Sequence, residues 1–388
     1  MGKLVGMEVA LAAAEAAALC RFEVAAVYPI TPQSHVAEHL SDIVNDGRVD
    51  ASFITVEGEH SALSAVIGAS ATGARVITAT SSQGLLYMGE VMPIASGMRM
   101  PIVMIIANRA ISSPINIWND HSDIMPMRDT GWITFFAENG QDAVDMVIQA
   151  YKVAENHEVM LPVNVTMDGF QLTHVVEPIN IPDQEEVDRF LPPYTPYATL
   201  HPDRPVSMGT LGMPEIFPES QKAKDVALVN SIKVIKKVWK EWEEQFGRKY
   251  EPVQTYRTED ADVALLTMGS MGETAEVAVD ELRKQGVKAG LVKLKLWRPF
   301  PFEDLKKALR GIRVLAVTDR AVSFGGPGGP VFSEVRSALY DEAVRPMIVN
   351  YIIGLGGRDV QIADFINMVK RAAEGKLAER YEFYGVRG

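Results

Sequence analysis

RVITATS at residues 75–81 and PIVMIIANR at residues 101–109 decide the fold. Both runs are rich in β-branched and other apolar side chains, as is typical of parallel strands buried on both faces of a sheet. Comparable runs recur nearby, separated by helical stretches: VAAVYPI (24–30), ASFITVE (51–57), WITFFAE (132–138) and MLPVNVTM (160–167). This alternation predicts an α/β fold with a parallel sheet and crossover helices, whose ligands bind where the strands end.

A second alternating series lies near the carboxyl terminus. Its runs are VALLTMG (263–269), GLVKLKLW (290–297), IRVLAVTD (312–319) and MIVNYII (347–353). The segments between them have helical character, so we expect a second, smaller α/β domain over residues 258–388.

Two segments connect the series. Residues 171–218 are rich in proline and have no sustained period, which predicts an extended arm on the surface rather than a packed element. Residues 219–246 predict a long helix that ends at Gly247. Its apolar seam consists of Leu228, Ile232, Ile235, Trp239, Trp242 and Phe246. With the arm and this helix, the first domain is expected to span residues 1–250.

Composition excludes several classes of protein. The 388 residues are 47% hydrophobic, which excludes a disordered or fibrous chain, and the net charge of −12 disfavours nucleic acid as a partner. The single cysteine, Cys20, cannot form a disulfide within the chain or hold an iron–sulfur cluster alone. The amino terminus lacks a secretory pattern, and no apolar run is long enough to span a membrane, so we expect a soluble cytoplasmic protein.

The segment YPITP at residues 28–32 follows the first strand run. Thr31 there is expected to cap a helix whose first residue is Pro32. Two interpretations stay open, because a capping threonine satisfies a backbone N–H and can also donate its hydroxyl proton to a ligand.

A zinc site is an alternative for the next segment, where His35, Glu38 and His39 spell the H-x-x-E-H pattern of one metallopeptidase group.

Two charged positions follow strand runs. Glu57 and Glu59 stand where a strand gives way to a helix, and a carboxylate there can simply complement the helix dipole. Arg109 stands at the end of an apolar strand, where its guanidinium can clamp a carboxylate through two parallel hydrogen bonds. Alternatives for Arg109 are a solvated side chain or an ion pair with Asp120 or Asp123.

The glycine-rich run SFGGPGGP at residues 323–330 is interpreted as a tight structural turn. It has neither the G-x-G-x-x-G order nor the lysine of a phosphate-binding loop. The GDG…N signature by which thiamine diphosphate enzymes hold magnesium does not occur in the chain.

Several uncommon blocks in fixed order resemble one family across nearly the whole chain. They are YPITPQS, GEHSA, TATSSQGL, ANRAISSPINIW, DHSD, RDTGW, LPVNVTMDGFQLTH, QTYRTEDAD, WRPFP and NYIIGLGGRD. The sequence resembles the alpha subunit of multi-subunit pyruvate, or 2-oxoacid, ferredoxin oxidoreductases. The resemblance implies a pyrimidine-type thiamine diphosphate domain followed by a transketolase C-terminal-like domain.

The resemblance also implies an activity, oxidative decarboxylation of pyruvate to acetyl-coenzyme A and carbon dioxide. Thiamine diphosphate is then shared with a partner chain, Mg²⁺ and iron–sulfur clusters lie on partner chains, and coenzyme A is the co-substrate. The expected partners are beta-, gamma- and delta-type subunits, through which electrons leave to ferredoxin. The second domain is expected to serve assembly and the approach of coenzyme A.

By position, the resemblance assigns Glu59 to N1′ of the aminopyrimidine, Arg109 to the substrate carboxylate and Thr31 to the reacting carbonyl. Tyr28 and Pro29 are expected to line the cofactor pocket, and Glu57 to be structural.

Three alternative functions stay open. The chain belongs to a branched-chain or 2-oxobutyrate oxidoreductase, or it is a non-catalytic assembly subunit, or it is a zinc hydrolase using the H-x-x-E-H pattern. Neutral Thr31 favours pyruvate over a dicarboxylate, whose second anion would need a cation nearby.

Overall fold

The computed structural model describes residues 2–375 and 381–387. Up to residue 250 the elements are β1 (Lys3–Glu8), α1 (Val9–Leu19), β2 (Val24–Ala26), α2 (Ser34–Asn45), β3 (Ser52–Ile54), α3 (Glu59–Ala71), β4 (Val76–Thr80), α4 (Ser82–Met88), α5 (Met92–Gly97), β5 (Ile102–Asn108), β6 (Ile133–Phe136), α6 (Gly140–Ala154), β7 (Val163–Asp168), β8 (Val176–Ile181), α7 (Gln184–Phe190) and α8 (Phe217–Phe246). A 3-10 helix, Met125–Asp129, lies between β5 and β6.

The later elements form a second series. They are β9 (Val253–Tyr256), β10 (Val263–Thr267), α9 (Met271–Lys284), β11 (Ala289–Leu294), β12 (Leu296–Arg298), α10 (Phe302–Ala308), β13 (Val314–Asp319), α11 (Pro330–Leu339), β14 (Met347–Ile352), α12 (Ile362–Ala373) and β15 (Glu382–Phe383). A 3-10 turn, Leu355–Gly357, follows β14.

The first series forms a seven-stranded sheet in the order β12-β6-β7-β5-β4-β2-β3. Its strands are parallel except for β12 at one edge. All residues of β4 and β5 are buried, because helices cover both faces of the sheet. The predicted parallel sheet is confirmed, and the carboxyl ends of its strands meet at the edge that carries the candidate site.

The second series forms a six-stranded sheet in the order β15-β14-β13-β10-β11-β9, in which only β9 is antiparallel. Strand β12 belongs to the second series but joins the first sheet, where it pairs antiparallel with β6. Leu296 is the register partner of Phe135 in this pair. One apolar cluster continues from Leu63 and Trp132 beside the first sheet to Leu266 and Phe332 beside the second. The two sheets therefore share buried surface as well as a strand.

The arm differs from its prediction. Residues 171–218 contain β8, which pairs antiparallel with β1, and α7, whose Asp183 accepts a hydrogen bond from the Glu186 backbone N–H. Strand β8 was not predicted because its partner β1 lies far away in sequence, and α7 was missed although Asp183 and Glu186 form a capping box at its start. Residues 191–216 have no helix or strand apart from an isolated bridge between His201 and Arg204.

The predicted long helix is confirmed as α8. Ile235, Trp239 and Trp242 of its seam are fully or almost fully buried, while Leu228, Ile232 and Phe246 pack at the margin of the core. The helix ends at Gly247, whose φ of 73° is the left-handed conformation that glycine adopts readily. No helix in residues 2–375 or 381–387 is both long and apolar enough to cross a membrane.

Candidate active site

Glu59 is a buried carboxylate without a protein donor. It is the first residue of α3, directly after Gly58 at the N-cap position, and is 7% exposed. No donor in the described chain binds its carboxylate, whereas buried carboxylates are normally hydrogen-bonded. Complementing the dipole of α3 accounts for its charge but leaves its hydrogen-bonding capacity unused.

The surroundings of Glu59 include further unused polar groups. The buried hydroxyls of Thr80 and Ser81 also have no hydrogen-bond partner. A Cβ built on Gly84 would lie 2.5 Å from Glu59 Oε1 and 2.5 Å from Thr80 Oγ1. The absence of a side chain at Gly84 thus lets the Glu59 carboxylate and the Thr80 hydroxyl lie close to the backbone of α4. We call Glu59, Thr80 and Gly84 the glutamate cradle.

Glu57, two residues before Glu59, has a different environment. Its side chain is exposed, and its carboxylate accepts a 2.6 Å hydrogen bond from the Ser61 hydroxyl. Glu57 is thus exposed and bound to Ser61, whereas Glu59 is buried and has no donor among the described residues.

Arg109 and Thr31 lie together, as the resemblance implied. Arg109 follows β5, and its Nη1 donates to the Thr31 carbonyl oxygen at 2.9 Å while its Nε donates to the Asn116 carbonyl oxygen at 3.1 Å. The residue is 8% exposed, and no carboxylate of the described residues pairs with its guanidinium. Burial lowers the pKa of Arg109, and the nearby Asp123 opposes this shift. Among the described residues, its hydrogen-bond acceptors are these two carbonyl oxygens, and Asp123 stabilises its charge from a distance.

Among the described residues, the guanidinium of Arg109 forms no ion pair with Asp120 or Asp123. Asp123 accepts the backbone N–H of Arg109 at 2.9 Å, not its guanidinium. Asp120 accepts hydrogen bonds from Ser122 and from the backbone N–H of Gly356. The guanidinium is therefore neither solvated nor paired with Asp120 or Asp123. It donates to two backbone carbonyls instead.

The expected helix cap at Thr31 is wrong. Helix α2 begins at Ser34, with Gln33 at the N-cap position. Residues 30–33 form a turn in which the Gln33 N–H donates to the Ile30 carbonyl at 2.7 Å and the Gln33 side chain accepts the Ile30 N–H at 3.2 Å. Because this turn precedes the helix, the exposed hydroxyl of Thr31 is not used as a cap.

Tyr28 and Pro29 line a separate part of the same sheet edge. Both are exposed, and they border an open cavity of about 500 Å³ together with residues of α2 and of the segment after β3. The lining of this cavity includes neither Glu59 nor Arg109. Among the site residues expected from the sequence, the structure brings only Arg109 and Thr31 into direct contact.

Asp123 is a site residue that the sequence analysis did not identify as such. It is fully buried; its Oδ2 accepts the backbone N–H groups of Ser82 at 3.1 Å and Arg109 at 2.9 Å, and its Oδ1 accepts from Asn108 at 3.0 Å. Burial raises the pKa of Asp123 to about 7, and its hydrogen bonds oppose the rise. Asp123 therefore ties the loop after β4 to the loop after β5. Asp123 was named from the sequence only as a possible ion-pair partner of Arg109.

The H-x-x-E-H residues do not converge on one point. His35 Nδ1 lies 2.5 Å from Glu8 Oε1, and His39 Nε2 lies 2.7 Å from Glu15 Oε1. His35 also stacks on His174, with ring centroids 4.5 Å apart and an interplanar angle of 29°. Each histidine of the pattern is paired with a different carboxylate, so this arrangement does not fit a shared tetrahedral zinc site of a hydrolase.

The glycine-rich turn at residues 323–330 offers no phosphate cradle. The carboxylate of Asp319 accepts the backbone N–H groups of Val331 at 2.8 Å and Phe332 at 3.1 Å at the start of α11. A side chain at Gly329 would collide with Asp319. The helix terminus is therefore already occupied by a carboxylate of the chain, which fits the interpretation of a structural turn.

Two family models match the chain. Residues 15–240 match "Pyruvate flavodoxin/ferredoxin oxidoreductase, thiamine diP-bdg", and residues 261–365 match "Pyruvate:ferredoxin oxidoreductase core domain II". Together they cover the candidate site and most of the six-stranded sheet.

Similar proteins span the same length. "Pyruvate synthase subunit PorA" of Methanocaldococcus jannaschii is 49% identical, with 94% of each chain covered. The protein of the same name from Pyrococcus abyssi is 48% identical, with 97% of this chain and 96% of the relative covered. "Ketoisovalerate oxidoreductase subunit VorA" of Pyrococcus horikoshii is 45% identical, with 96% of this chain and 95% of the relative covered.

Solved structures share the fold. A 2-oxoglutarate:ferredoxin oxidoreductase from Magnetococcus marinus aligns with a TM-score of 0.70 at 21% identity, covering 96% of this chain and 65% of its own. A split-gene transketolase aligns with a TM-score of 0.56 at 13% identity, covering 96% of this chain and 100% of its own. The expected fold class is confirmed, and the chain belongs to the pyruvate:ferredoxin oxidoreductase family.

Proposed function

We propose that this chain is the alpha subunit of a pyruvate:ferredoxin oxidoreductase and holds the aminopyrimidine side of thiamine diphosphate. The complex decarboxylates pyruvate oxidatively, transfers the acetyl group to coenzyme A and passes two electrons to ferredoxin. Relatives named pyruvate synthase subunit, at 48–49% identity over nearly the whole chain, support this assignment. The 2-oxoglutarate enzyme of similar fold was solved with coenzyme A bound.

The observation that carries the proposal is the unpartnered, buried carboxylate of Glu59. An aminopyrimidine ring offers a nitrogen, N1′, that binds a carboxylate through a shared proton, and Glu59 presents a carboxylate that no donor of the described chain binds. The unpartnered Thr80 hydroxyl, which borders Gly84 together with Glu59, provides a further polar contact for such a ring. The residues present therefore fit the group.

Each site residue has a defined task in this proposal. Bound thiamine diphosphate supplies the nucleophilic carbon and the electron sink that decarboxylation requires. Glu59 holds a proton at N1′, Arg109 orients the substrate carboxylate, and Thr31 lies beside the reacting carbonyl. Tyr28 and Pro29 border the part of the cofactor pocket that a companion chain closes. The guanidinium of Arg109 has no carboxylate partner among the described residues, so the carboxylate of the substrate can take that place.

The diphosphate, Mg²⁺ and iron–sulfur clusters are assigned to companion chains of beta, gamma and delta type. Mg²⁺ prefers oxygen ligands, whereas Glu8, His35 and His174, whose potential ligand atoms lie within 4.8 Å of one another, include two imidazoles. The sole cysteine, Cys20, is buried in apolar surroundings, and this burial raises the pKa of its thiol. A cluster normally requires about four cysteine thiolates.

A branched 2-oxoacid is the second candidate substrate. The ketoisovalerate oxidoreductase subunit of Pyrococcus horikoshii is 45% identical, only slightly less similar than the pyruvate synthase subunits. The ratio of kcat/KM for pyruvate to that for 2-oxoisovalerate, measured on the native complex, decides between them. We expect the ratio to exceed one, and a ratio below one would assign the chain to the branched-chain enzyme.

Co-purification of the native complex, with analysis for thiamine diphosphate and iron, tests the assignment. Both are expected in the complex, and a complex lacking thiamine diphosphate would refute the proposal. Glu59→Gln is the matching variant, because it keeps the shape of the side chain and removes its charge. We expect turnover to fall by about 10²- to 10⁴-fold, as for loss of a group that moves protons, with the complex intact.

Glu57→Gln is the matched control. It makes the same chemical change two residues away, at an exposed carboxylate, and is expected to leave turnover within about twofold of the parent complex. Full activity of Glu59→Gln would instead support a non-catalytic role for this chain.

A further inference from the structure

The orientation of the Arg109 guanidinium depends on Asn116. The carbonyl oxygen of Asn116 accepts the Arg109 Nε–H at 3.1 Å. The Asn116 side chain accepts the backbone N–H of Trp118 at 2.7 Å and donates from Nδ2 to the Gly356 carbonyl at 3.0 Å. Asn116 thus contacts the guanidinium on one side and a residue of the six-stranded-sheet unit, 240 positions later, on the other.

The residue that accepts the hydrogen bond from the Asn116 side chain, Gly356, lies in a glycine loop at residues 354–357 that follows β14. Gly356 and Gly357 have φ angles of 57° and 79°, in the left-handed region that favours glycine. A Cβ on Gly356 would collide with the Asn116 amide, and one on Gly357 would collide with the Trp118 Cβ. Both positions therefore require glycine for conformation and for space.

Backbone hydrogen bonds fix the same contact. The Gly356 N–H donates to Asp120 Oδ2 at 3.1 Å, and the Gly357 N–H donates to the Asn119 carbonyl at 2.7 Å. The segment at residues 116–120 is consequently held along its length by the glycine loop.

We propose that the glycine loop at residues 354–357 acts through Asn116 as a positioning element for the substrate clamp at Arg109. This inference rests on the proposed function, because it takes Arg109 as the group that binds the substrate carboxylate. Two parallel hydrogen bonds between a guanidinium and a carboxylate require a fixed angle. Since the carbonyls of Thr31 and Asn116 are the only hydrogen-bond acceptors of this guanidinium among residues 2–375 and 381–387, displacement of Asn116 changes that angle. The six-stranded-sheet unit thereby contributes to 2-oxoacid binding without touching the substrate.

Two variants of the assembled complex test this role. Asn116→Ala removes the side-chain link to Gly356 but keeps the carbonyl that accepts from Arg109, and Gly356→Ala pushes Asn116 away. In both we expect the KM for pyruvate to rise roughly threefold to tenfold, while kcat and the KM for coenzyme A stay within about twofold. If Gly356→Ala does not assemble, Asn116→Ala decides alone, because it adds no atoms.

Gly311→Ala is the matched control. Gly311 has a φ of 85°, so the substitution imposes similar backbone strain, but a Cβ there meets no atom within 4 Å. We expect its KM for pyruvate to equal that of the parent complex. An equal rise in KM for Gly311→Ala and Gly356→Ala would mean that general destabilisation causes the effect, which would overturn the proposal.

A double-mutant cycle with Arg109→Ala separates this inference from the proposed function. If Asn116 acts through Arg109, Asn116→Ala causes no further rise in KM once Arg109 is removed. Independent, multiplying effects would overturn the positioning role. If Arg109→Ala raises KM but Asn116→Ala and Gly356→Ala do not, this inference alone is wrong. If Arg109→Ala leaves KM unchanged, the clamp itself is wrong, and the inference falls with it.

Discussion

Replacement of Arg109 by alanine removes the cation that we assign to the substrate carboxylate. Nε and Nη1 of the guanidinium are bound to carbonyl oxygens, and its charge has no carboxylate partner in the described chain. A hydrogen bond to a charged group contributes about 1.5–3 kcal/mol, and about 1.4 kcal/mol corresponds to a tenfold change in an equilibrium constant. We therefore expect the KM for pyruvate to rise by about one to two powers of ten. Arg109→Lys keeps the charge without the planar fork and should give an intermediate KM.

The assay is steady-state reduction of a one-electron dye by the assembled complex, with pyruvate varied at saturating coenzyme A. Arg99→Ala is a matched control, because Arg99 is a half-buried arginine whose guanidinium also donates to two backbone carbonyls, those of Val159 and Met160. It precedes β5, at the opposite end of the strand from Arg109. An unchanged KM for Arg109→Ala, or an equal rise for Arg99→Ala, would refute the assignment of Arg109.

Two further predictions concern the glutamate cradle and Asp123. Gly84→Ala places a methyl group 2.5 Å from both Glu59 Oε1 and Thr80 Oγ1, so the purified complex should retain less thiamine diphosphate, whereas Gly97→Ala, where a Cβ meets nothing within 4 Å, should retain it fully. Because burial raises the pKa of Asp123 from 3.8 to about 7, its contribution to stability is present at low pH and declines as the pH rises toward 7. The amide side chain in Asp123→Asn does not titrate. The difference between the thermal unfolding midpoints of the variant and the parent chain should therefore rise between pH 5 and pH 7 and level off above pH 8. A difference that stays constant over this range would contradict the raised pKa.

Local sequence patterns were sufficient for the elements whose burial is continuous. The runs that became β4 and β5 are apolar over their whole length, and the seam of α8 repeats at helical spacing up to Gly247. The residues buried in β4, β5 and α8 follow one another at the spacing of a strand or a helix, so the pattern of apolar residues is enough to predict these elements.

Contacts between distant segments were not predictable in this way. Strand β12 lies in the second series but pairs with β6 of the first sheet, and β8 pairs with β1 across most of the first half of the chain. The role of Asp123 depends on backbone N–H groups of two other loops, which carry no side-chain signature. Thr31 was misread as a helix cap because a turn at residues 30–33 delays the start of α2.

Resemblance and geometry support the candidate site to different degrees. Arg109 and Thr31 were expected at the substrate and are in contact, and Glu59 was expected at the cofactor and is buried without a donor. Tyr28 and Pro29 line a different, open cavity, so their assignment to the cofactor depends on a companion chain closing that edge. The link between Asn116 and Gly356 could be found only in three dimensions.

Exchange of the C2 proton of bound thiamine diphosphate with deuterium is the most direct test, because a carboxylate at N1′ promotes loss of that proton. The rate is to be measured by rapid quench and NMR in the parent complex, in Glu59→Gln and in Glu57→Gln, each saturated with the cofactor. We expect exchange to slow by about 10²-fold or more only in Glu59→Gln. Equal rates in all three complexes would contradict the assignment of Glu59 to the aminopyrimidine ring.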